Sequence, residues 1–324
     1  MHNEITINEI ESFKIGHAQN EQAATGCTVI ISENGAIAGV DVRGGSPGTR
    51  ETDLLKSENI VDQVHAVFLS GGSAYGLDVG TGVMRYLEER EIGFDVQVAK
   101  VPIVPGAILF DLAIGEANIR PDAAMGYQAC LNSENTQDLL QGNSGAGMGA
   151  TVGKCLGPSY SMKGGIGTYA VQIGDLKIGA IIAVNSFGDI IDPRTNEILA
   201  GVFDREKGIY LNTEKQLLNQ LEKATNRFSS NTTIGTILTN AKATKAEMNK
   251  IASIAHDGMA RTMRPSHTLV DGDTLFAMTS NQVKVDLNIV GMLAVEVVEQ
   301  AIIRAVKQAT SLFGQPSYQE TNQK

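Results

Sequence analysis

The chain has 324 residues with 35 Gly, no Trp and 42% hydrophobic residues, enough to bury a large core as one big domain or two smaller ones and too apolar for general disorder. Its formal net charge of −10 at pH 7 argues against nucleic acid or an anionic membrane as the main partner and leaves a mild bias toward cationic substrates. Cys27, Cys130 and Cys155 are too few and too scattered for a disulfide framework or a CxxC metal site. They read as free thiols of a reducing compartment. The N-terminal residues lack the basic and apolar regions of a signal peptide, and no apolar run reaches membrane-spanning length. A soluble cytoplasmic protein is expected.

In chain order, β-rich runs at 27–32 and 36–42 flank Glu33-Asn34-Gly35, which predicts a hairpin turn. Residues 43–50 are a loop by composition. Residues 65–70 predict a buried strand that runs through Gly71-Gly72 into a helix beginning near Ser73, and the glycine-rich stretch 145–167 cannot be regular helix. Residues 169–173 and 178–185 predict a strand pair around Gly174-Asp175. About 205–230 is charged and polar and reads as an exposed linker. A β-branched strand follows at 233–239, then a helix opened by a capping box of Thr244 and Glu247. Met248, Ile251, Ile254, Ala255 and Met259 keep helical spacing up to the stop at Pro265. An amphipathic helix over about 290–309 is the last element, and there is no internal repeat. Strands interleaved with a few long helices predict an α/β (α+β) architecture of sheets layered between helices.

Asn231-Thr232-Thr233 lies between the polar stretch and the strand. If the Asn231–Thr232 bond is cut, Thr232 carries a hydroxyl and a free α-amine, a weak nucleophile beside a base whose pKa lies near neutrality. The ordinary alternative is a pair of threonines that opens a strand. The neighbourhood favours chemistry, because Asp271-Gly272-Asp273 follows the helix and Arg264-Pro265-Ser266-His267. Two carboxylates at i and i+2 of an extended segment point the same way and can hold an ammonium or orient a hydroxyl. A solvated turn would look similar, and a calcium loop would need oxygen ligands that the local sequence lacks. Lys163 stands among glycines in residues 161–168, where it could reach a closely lined site, depress an amine's pKa or stabilise negative charge, or be a plain surface lysine. Asn185 ends an apolar run and could donate to an oxyanion or cap a turn.

Competing motifs are weaker. Residues 145–150 fit a GxGxxA dinucleotide fingerprint, but loop-like sequence through Lys154 follows where a helix is required. Gly153-Lys154 fails as a phosphate loop, since Met148 occupies the first glycine position and Cys155 replaces Ser/Thr. Gly71-Gly72-Ser73-Ala74-Tyr75-Gly76 resembles a serine-hydrolase nucleophile elbow, yet Tyr75 replaces the second glycine and Ser73 reads as a helix N-cap. His256 and His267 could act as a base or as metal ligands with Asp271 and Asp273, but His256 on its helix reads as a packed, satisfied histidine. Neither a metal nor a cofactor is expected.

Residues 231–235, 255–261, 264–268 and 271–276 together resemble the DmpA-like family, which includes L-aminopeptidase/D-amidase/esterases, β-aminopeptidases and nylon-oligomer endohydrolases. Residues 43–50, 70–77 and 162–168 extend the resemblance over most of the chain. It implies a self-processing N-terminal-nucleophile (Ntn) hydrolase with a four-layer αββα sandwich, Ntn-hydrolase-like but with different connectivity. Carried over by position, it implies Thr232 as nucleophile and Asn231–Thr232 as the processed bond, dividing a single hydrolase domain into pieces 1–231 and 232–324. Lys163 and Asn185 match the site lysine and oxyanion asparagine of the nylon-hydrolase branch, and Asp271 and Asp273 match its acidic pair. The β-aminopeptidase branch has serine as nucleophile and a Ser/Glu pair, so this chain stands closer to the Thr/Asp branch. A tyrosine used by some members has no aligned counterpart, and Tyr160 is left outside the site. The substrate is expected to be a small peptide or amide, and the assembly a homotetramer of processed protomers.

Overall fold

The computed structural model describes residues 2–135, 139–221 and 231–322. Its principal elements are β1 (Asn3–Ile5), β2 (Lys14–Asn20), β3 (Thr25–Val42), β4 (Gln63–Ser70), α1 (Val79–Glu88), β5 (Gly106–Ile108), α2 (Ala123–Asn132), β6 (Gly165–Ile173), β7 (Leu176–Asn185), β8 (Thr232–Ala241), α3 (Lys245–Thr262), β9 (Thr274–Val283) and α4 (Leu287–Gln308). Strands β1, β6, β7, β8 and β9 and the second half of β3 form one side of the sheet system. The first half of β3 joins β2, β4 and β5 on the other.

Side-chain alternation turns these strands into four layers. In β7, Ile178, Ala180, Ile182 and Val184 pack with Met248, Ile251, Ala255 and Met259 of α3 and with α4. Ile181 and Ala183 of the same strand face the other way, onto Ile30, Val67 and Leu69. Ala66 and Phe68 of β4 then meet Val79, Val83 and Leu87 of α1 and Ala129 and Cys130 of α2. A period of two thus gives each strand two apolar faces, and three cores follow: helix on sheet, sheet on sheet, sheet on helix. Each fully buried aliphatic or aromatic side chain contributes about 1.5–3 kcal/mol of transfer free energy. The αββα sandwich is the layered fold anticipated from the sequence.

The hairpin expected at Glu33-Asn34-Gly35 does not form. Residues 25–42 are one strand, with Gly35 at φ 76 and a shift of register against β4 between Ile31 and Ala36. Its first half pairs with β2 and β4 and its second with β9, so one long strand passes from one sheet to the other. A bulge and a tight turn use the same residues, and only the partners tell them apart. Strand β6 starts four residues before the expected position, because Gly165 and Gly167 are glycine for packing: a Cβ on Gly167 would lie 2.1 Å from the Ala301 carbonyl oxygen of α4. Helix α3 opens on its capping box, with the Thr244 N–H donating to Glu247 Oε2 at 2.7 Å, a feature worth about 1 kcal/mol.

Of the stretch expected to be a linker, residues 205–221 include Ile209–Tyr210, paired with Phe203–Asp204, and a short helix, Thr213–Asn219, while 222–230 lie outside the described residues. Among the described residues no helix is long and apolar enough to cross a membrane.

Strand direction decides where chemistry can gather. Strands β8 and β9 are parallel, joined by the crossover helix α3, so both begin at the same end of the sheet. Strand β7 runs antiparallel to β8 and therefore finishes there. Residues far apart in sequence (185, 232 and 271–273) meet at that end for topological reasons alone.

Candidate active site

Thr232 opens β8, and Asn231 just before it forms an isolated parallel bridge with Asp271. Both are enclosed, at 4% and 1% exposure. The Asn231 carbonyl oxygen accepts two hydrogen bonds, from the Thr232 hydroxyl and from the Gly272 N–H at 2.9 Å. Gly272 is needed here by size: a Cβ would lie 2.7 Å from Thr232 Oγ1 and 2.8 Å from the Ser46 carbonyl oxygen. A buried carbonyl held by a backbone donor, with a hydroxyl beside it, has the features of an acyl-transfer site.

The two carboxylates on either side of Gly272 are fully engaged. Asp273 accepts from the Thr233 N–H at 2.8 Å, the His267 N–H at 3.0 Å and His267 Nδ1 at 2.8 Å. Asp271 accepts from the Phe187 N–H at 3.2 Å, the Thr268 N–H at 3.3 Å and the Thr268 hydroxyl. Burial, then the neighbouring charge of Asp273, push the Asp271 carboxyl up to about 7, against the pull of the Thr268 and Phe187 hydrogen bonds and of Lys154. The glycine-rich residues 43–46 clamp this loop: the N–H groups of Arg43, Gly45 and Ser46 donate to the carbonyls of Asp273, Thr268 and Asp271 at 3.0, 3.1 and 2.8 Å.

Asn185, fully buried, is the register partner of Thr232 across β7 and β8. Its amide nitrogen donates to the Phe110 carbonyl at 2.9 Å, and its Oδ1 accepts from the Thr151 N–H at 3.0 Å and from Lys154 Nζ at 2.6 Å. Lys154, set aside above with the phosphate-loop reading, is therefore the lysine in contact with the site. Burial lowers its ammonium to about 7, against the attraction of Asp271 and Asp111. Its signal in the sequence was of the kind used for Lys163, a lysine next to glycine in the glycine-rich stretch 145–167. Lys163 itself is fully buried and donates to the Gly147 and Ala150 carbonyls at 3.0 and 2.9 Å; burial lowers it to about 7 as well. None of its hydrogen bonds among the described residues reaches Thr232, Asn185 or the acidic pair. Tyr160, on the turn Pro158–Tyr160, is 36% exposed.

A cleft of about 230 Å³ opens on Thr232, lined among others by Ser46, Gly48, Ser73, Ile108, Phe110 and Val270. Phe110 also lines a smaller cavity of about 70 Å³, together with Lys154 and Asp111. Ser73 is not the cap expected: Gly72 holds that position, and Ser73 begins a 3-10 turn at φ 54. It shares the cleft, but among the described residues no histidine or carboxylate lines the cleft with it. His256 is buried, with Nε2 against the Asp41 carbonyl at 3.0 Å; among the described residues its Nδ1 has no hydrogen-bond partner, so it is packed but only half satisfied. Among the described residues no three His, Cys, Asp or Glu side chains gather as a metal site.

The architecture matches solved Ntn-type hydrolases. The L-aminopeptidase D-Ala-esterase/amidase of Ochrobactrum anthropi, described as a variant of the Ntn hydrolase fold, superposes with a TM-score of 0.68 over 94% of this chain and 86% of its own, at 19% identity. A β-aminopeptidase of Burkholderia sp. gives 0.68 over 98% and 91%, at 17% identity. The class is an αββα hydrolase of amide bonds. More narrowly, the model of peptidase family S58 matches residues 3–319, and the chain belongs to that family. Its relatives include an uncharacterised aminopeptidase of Mycobacterium leprae, 36% identical over 97% of this chain and 93% of the relative. The 6-aminohexanoate-oligomer endohydrolase of Kocuria sp. is 32% identical over 90% and 83%.

Proposed function

We propose that this hydrolase cuts its own Asn231–Thr232 bond and then hydrolyses small peptides or amides with Thr232 as an N-terminal nucleophile. The observation that carries the proposal is the Asn231 carbonyl held between the Thr232 hydroxyl and the Gly272 N–H. In the first reaction Thr232 Oγ attacks the Asn231 carbonyl carbon while Gly272 N–H stabilises the oxyanion. The C–N bond breaks, the hydroxyl proton passes to the leaving Thr232 nitrogen, and the resulting ester is opened by water. The products are the Asn231 carboxylate and a free Thr232 amine, on pieces 1–231 and 232–324.

Departure of the Asn231 carbonyl frees the Gly272 N–H for a substrate carbonyl in the same place. The new amine takes the Oγ proton as Thr232 attacks, and returns it to the leaving amine; water then releases the acyl group. Asn185, whose amide has a second N–H besides the one given to Phe110, is the second oxyanion donor. Asp273 holds the backbone of Thr233, and Asp271 the approach to it. Lys154, held at Asn185 and charged below about pH 7, disfavours protonation of the Thr232 amine, and Lys163 supports the site by fixing the Gly147 and Ala150 carbonyls. The family resemblance extends the proposal to a homotetramer, while the free thiols favour a cytoplasmic location and the net charge of −10 disfavours a nucleic-acid or anionic-membrane partner. Exposed apolar side chains such as Val98 and Met292 offer surface for assembly.

The test is hydrolysis of a panel of chromogenic amides by wild type, Thr232→Ala, Thr232→Ser and Ser73→Ala. Thr232→Ala should be inactive, Thr232→Ser partly active and Ser73→Ala active. Activity in Thr232→Ala that disappears in Ser73→Ala would move the nucleophile to Ser73.

A further inference from the structure

The acidic pair next to the nucleophile has an unassigned neighbour. The Asp273 carboxylate is 1% exposed, and its Oδ1 is spent on the Thr233 N–H, the backbone bond directly after the nucleophile. Its Oδ2 takes both hydrogen bonds that His267 can give it, from the backbone N–H at 3.0 Å and from ring Nδ1 at 2.8 Å. A carboxylate is an acceptor only, so the proton of this ring sits on Nδ1. His267 is held at φ 54, a conformation that L-residues seldom adopt and that turns both donors toward one oxygen. The His256 ring, buried on α3, lies edge-on against it with centroids 4.8 Å apart and fixes the plane of the imidazole. The path from His256 to Thr233 thus runs through one ring contact, the paired hydrogen bonds of His267 to Asp273 and one hydrogen bond to the Thr233 N–H.

We infer that His267 is a positioning residue for the nucleophile: its Nδ1–H orients the Asp273 carboxylate, which through the Thr233 N–H sets the direction of Thr232. The inference rests on Thr232 being the nucleophile. Among the described residues no hydrogen bond of His267 reaches the Asn231 carbonyl or Thr232, so its effect belongs in turnover and in the rate of self-cleavage and not in substrate affinity.

The experiment compares His267→Gly and His267→Asn with wild type, alongside Thr232→Ala, measuring kcat, KM, the rate at which full-length chain is cut, and the thermal midpoint. Glycine accepts the positive φ without strain and removes the ring while leaving the backbone donor. Asparagine tolerates the same φ and carries an Nδ2–H at the distance from Cβ where the imidazole carries Nδ1–H. His267→Gly should lose about ten- to hundredfold in kcat and in cutting rate, as loss of a hydrogen bond to a charged group implies, with KM within about twofold. His267→Asn should recover kcat to within about threefold of wild type. A kcat in His267→Gly within about threefold of wild type would overturn the inference, and so would an asparagine variant as impaired as the glycine one. If Thr232→Ala is itself cut and active, the Thr232 reading fails and this inference with it. If Thr232→Ala is inert while the His267 variants behave as wild type, the His267 role alone fails.

Discussion

At the scale of the residue, the decisive contact is between one peptide carbonyl and two donors. Gly272→Ala tests it, since the added methyl would have to sit 2.7 Å from Thr232 Oγ1. The expected outcome is a kcat lowered by about a hundredfold or more, the cost of one oxyanion donor, with a thermal midpoint that shows a folded chain. Lys154→Met tests the electrostatics. A cation nearby disfavours protonation of the Thr232 amine, so removing it raises that amine's pKa, and the acid limb of the kcat/KM–pH profile should move to higher pH. An unmoved limb would separate Lys154 from the nucleophile. Thr232 is legible from its place between a polar stretch and a strand, Asp271 and Asp273 from their i, i+2 spacing and Asn185 from the end of an apolar run, with their roles implied by the family resemblance. The structure brings all four to one end of the sheet. Lys154 was passed over because its glycine neighbours evoke phosphate binding, and the contact with Asn185 comes from folding residues 151–154 onto the end of β7, which no local pattern records.

At the scale of the element, strand order explains more than propensity does. The pattern of α3 was readable from its capping box and apolar spacing. The length of β3 was not, since Asn-Gly marks a turn unless its flanks are claimed by different partner strands. Helix α3 also carries a pH-dependent term. Burial, followed by its other neighbours, lowers the His256 ring to about 4 from 6.5. A histidine whose folded value lies below its unfolded one supplies stability that is fully present above about 6.5 and lost as pH falls toward 4. Asp271, raised to about 7 from 3.8, works with the opposite sign, adding stability as pH falls through that window. The comparison with His256→Gln isolates the first effect. That variant should be less stable near pH 7, and, with no His256 loss to offset the gain from Asp271, its urea midpoint should rise more than that of wild type between about pH 7 and about pH 5. Equal changes in both proteins would mean that His256 is not held neutral by burial.

At the scale of the whole molecule, the four layers follow from strands with two apolar faces, and that much was legible in the alternation of strands with long helices. The way the sheets join through β3 was not, because it depends on pairings between residues as distant as 37 and 279. The layers in turn bring the ends of β7, β8 and β9 to one place, where a carbonyl, a hydroxyl and a backbone N–H are held together inside the protein. Self-cleavage there is the central claim, and intact mass with N-terminal sequencing of freshly purified wild type beside Thr232→Ala tests it most directly. Two pieces in wild type, the smaller beginning Thr-Thr-Ile-Gly, with one whole chain in the variant, is the expected result. One whole chain in both, or a cut in the variant, would contradict it.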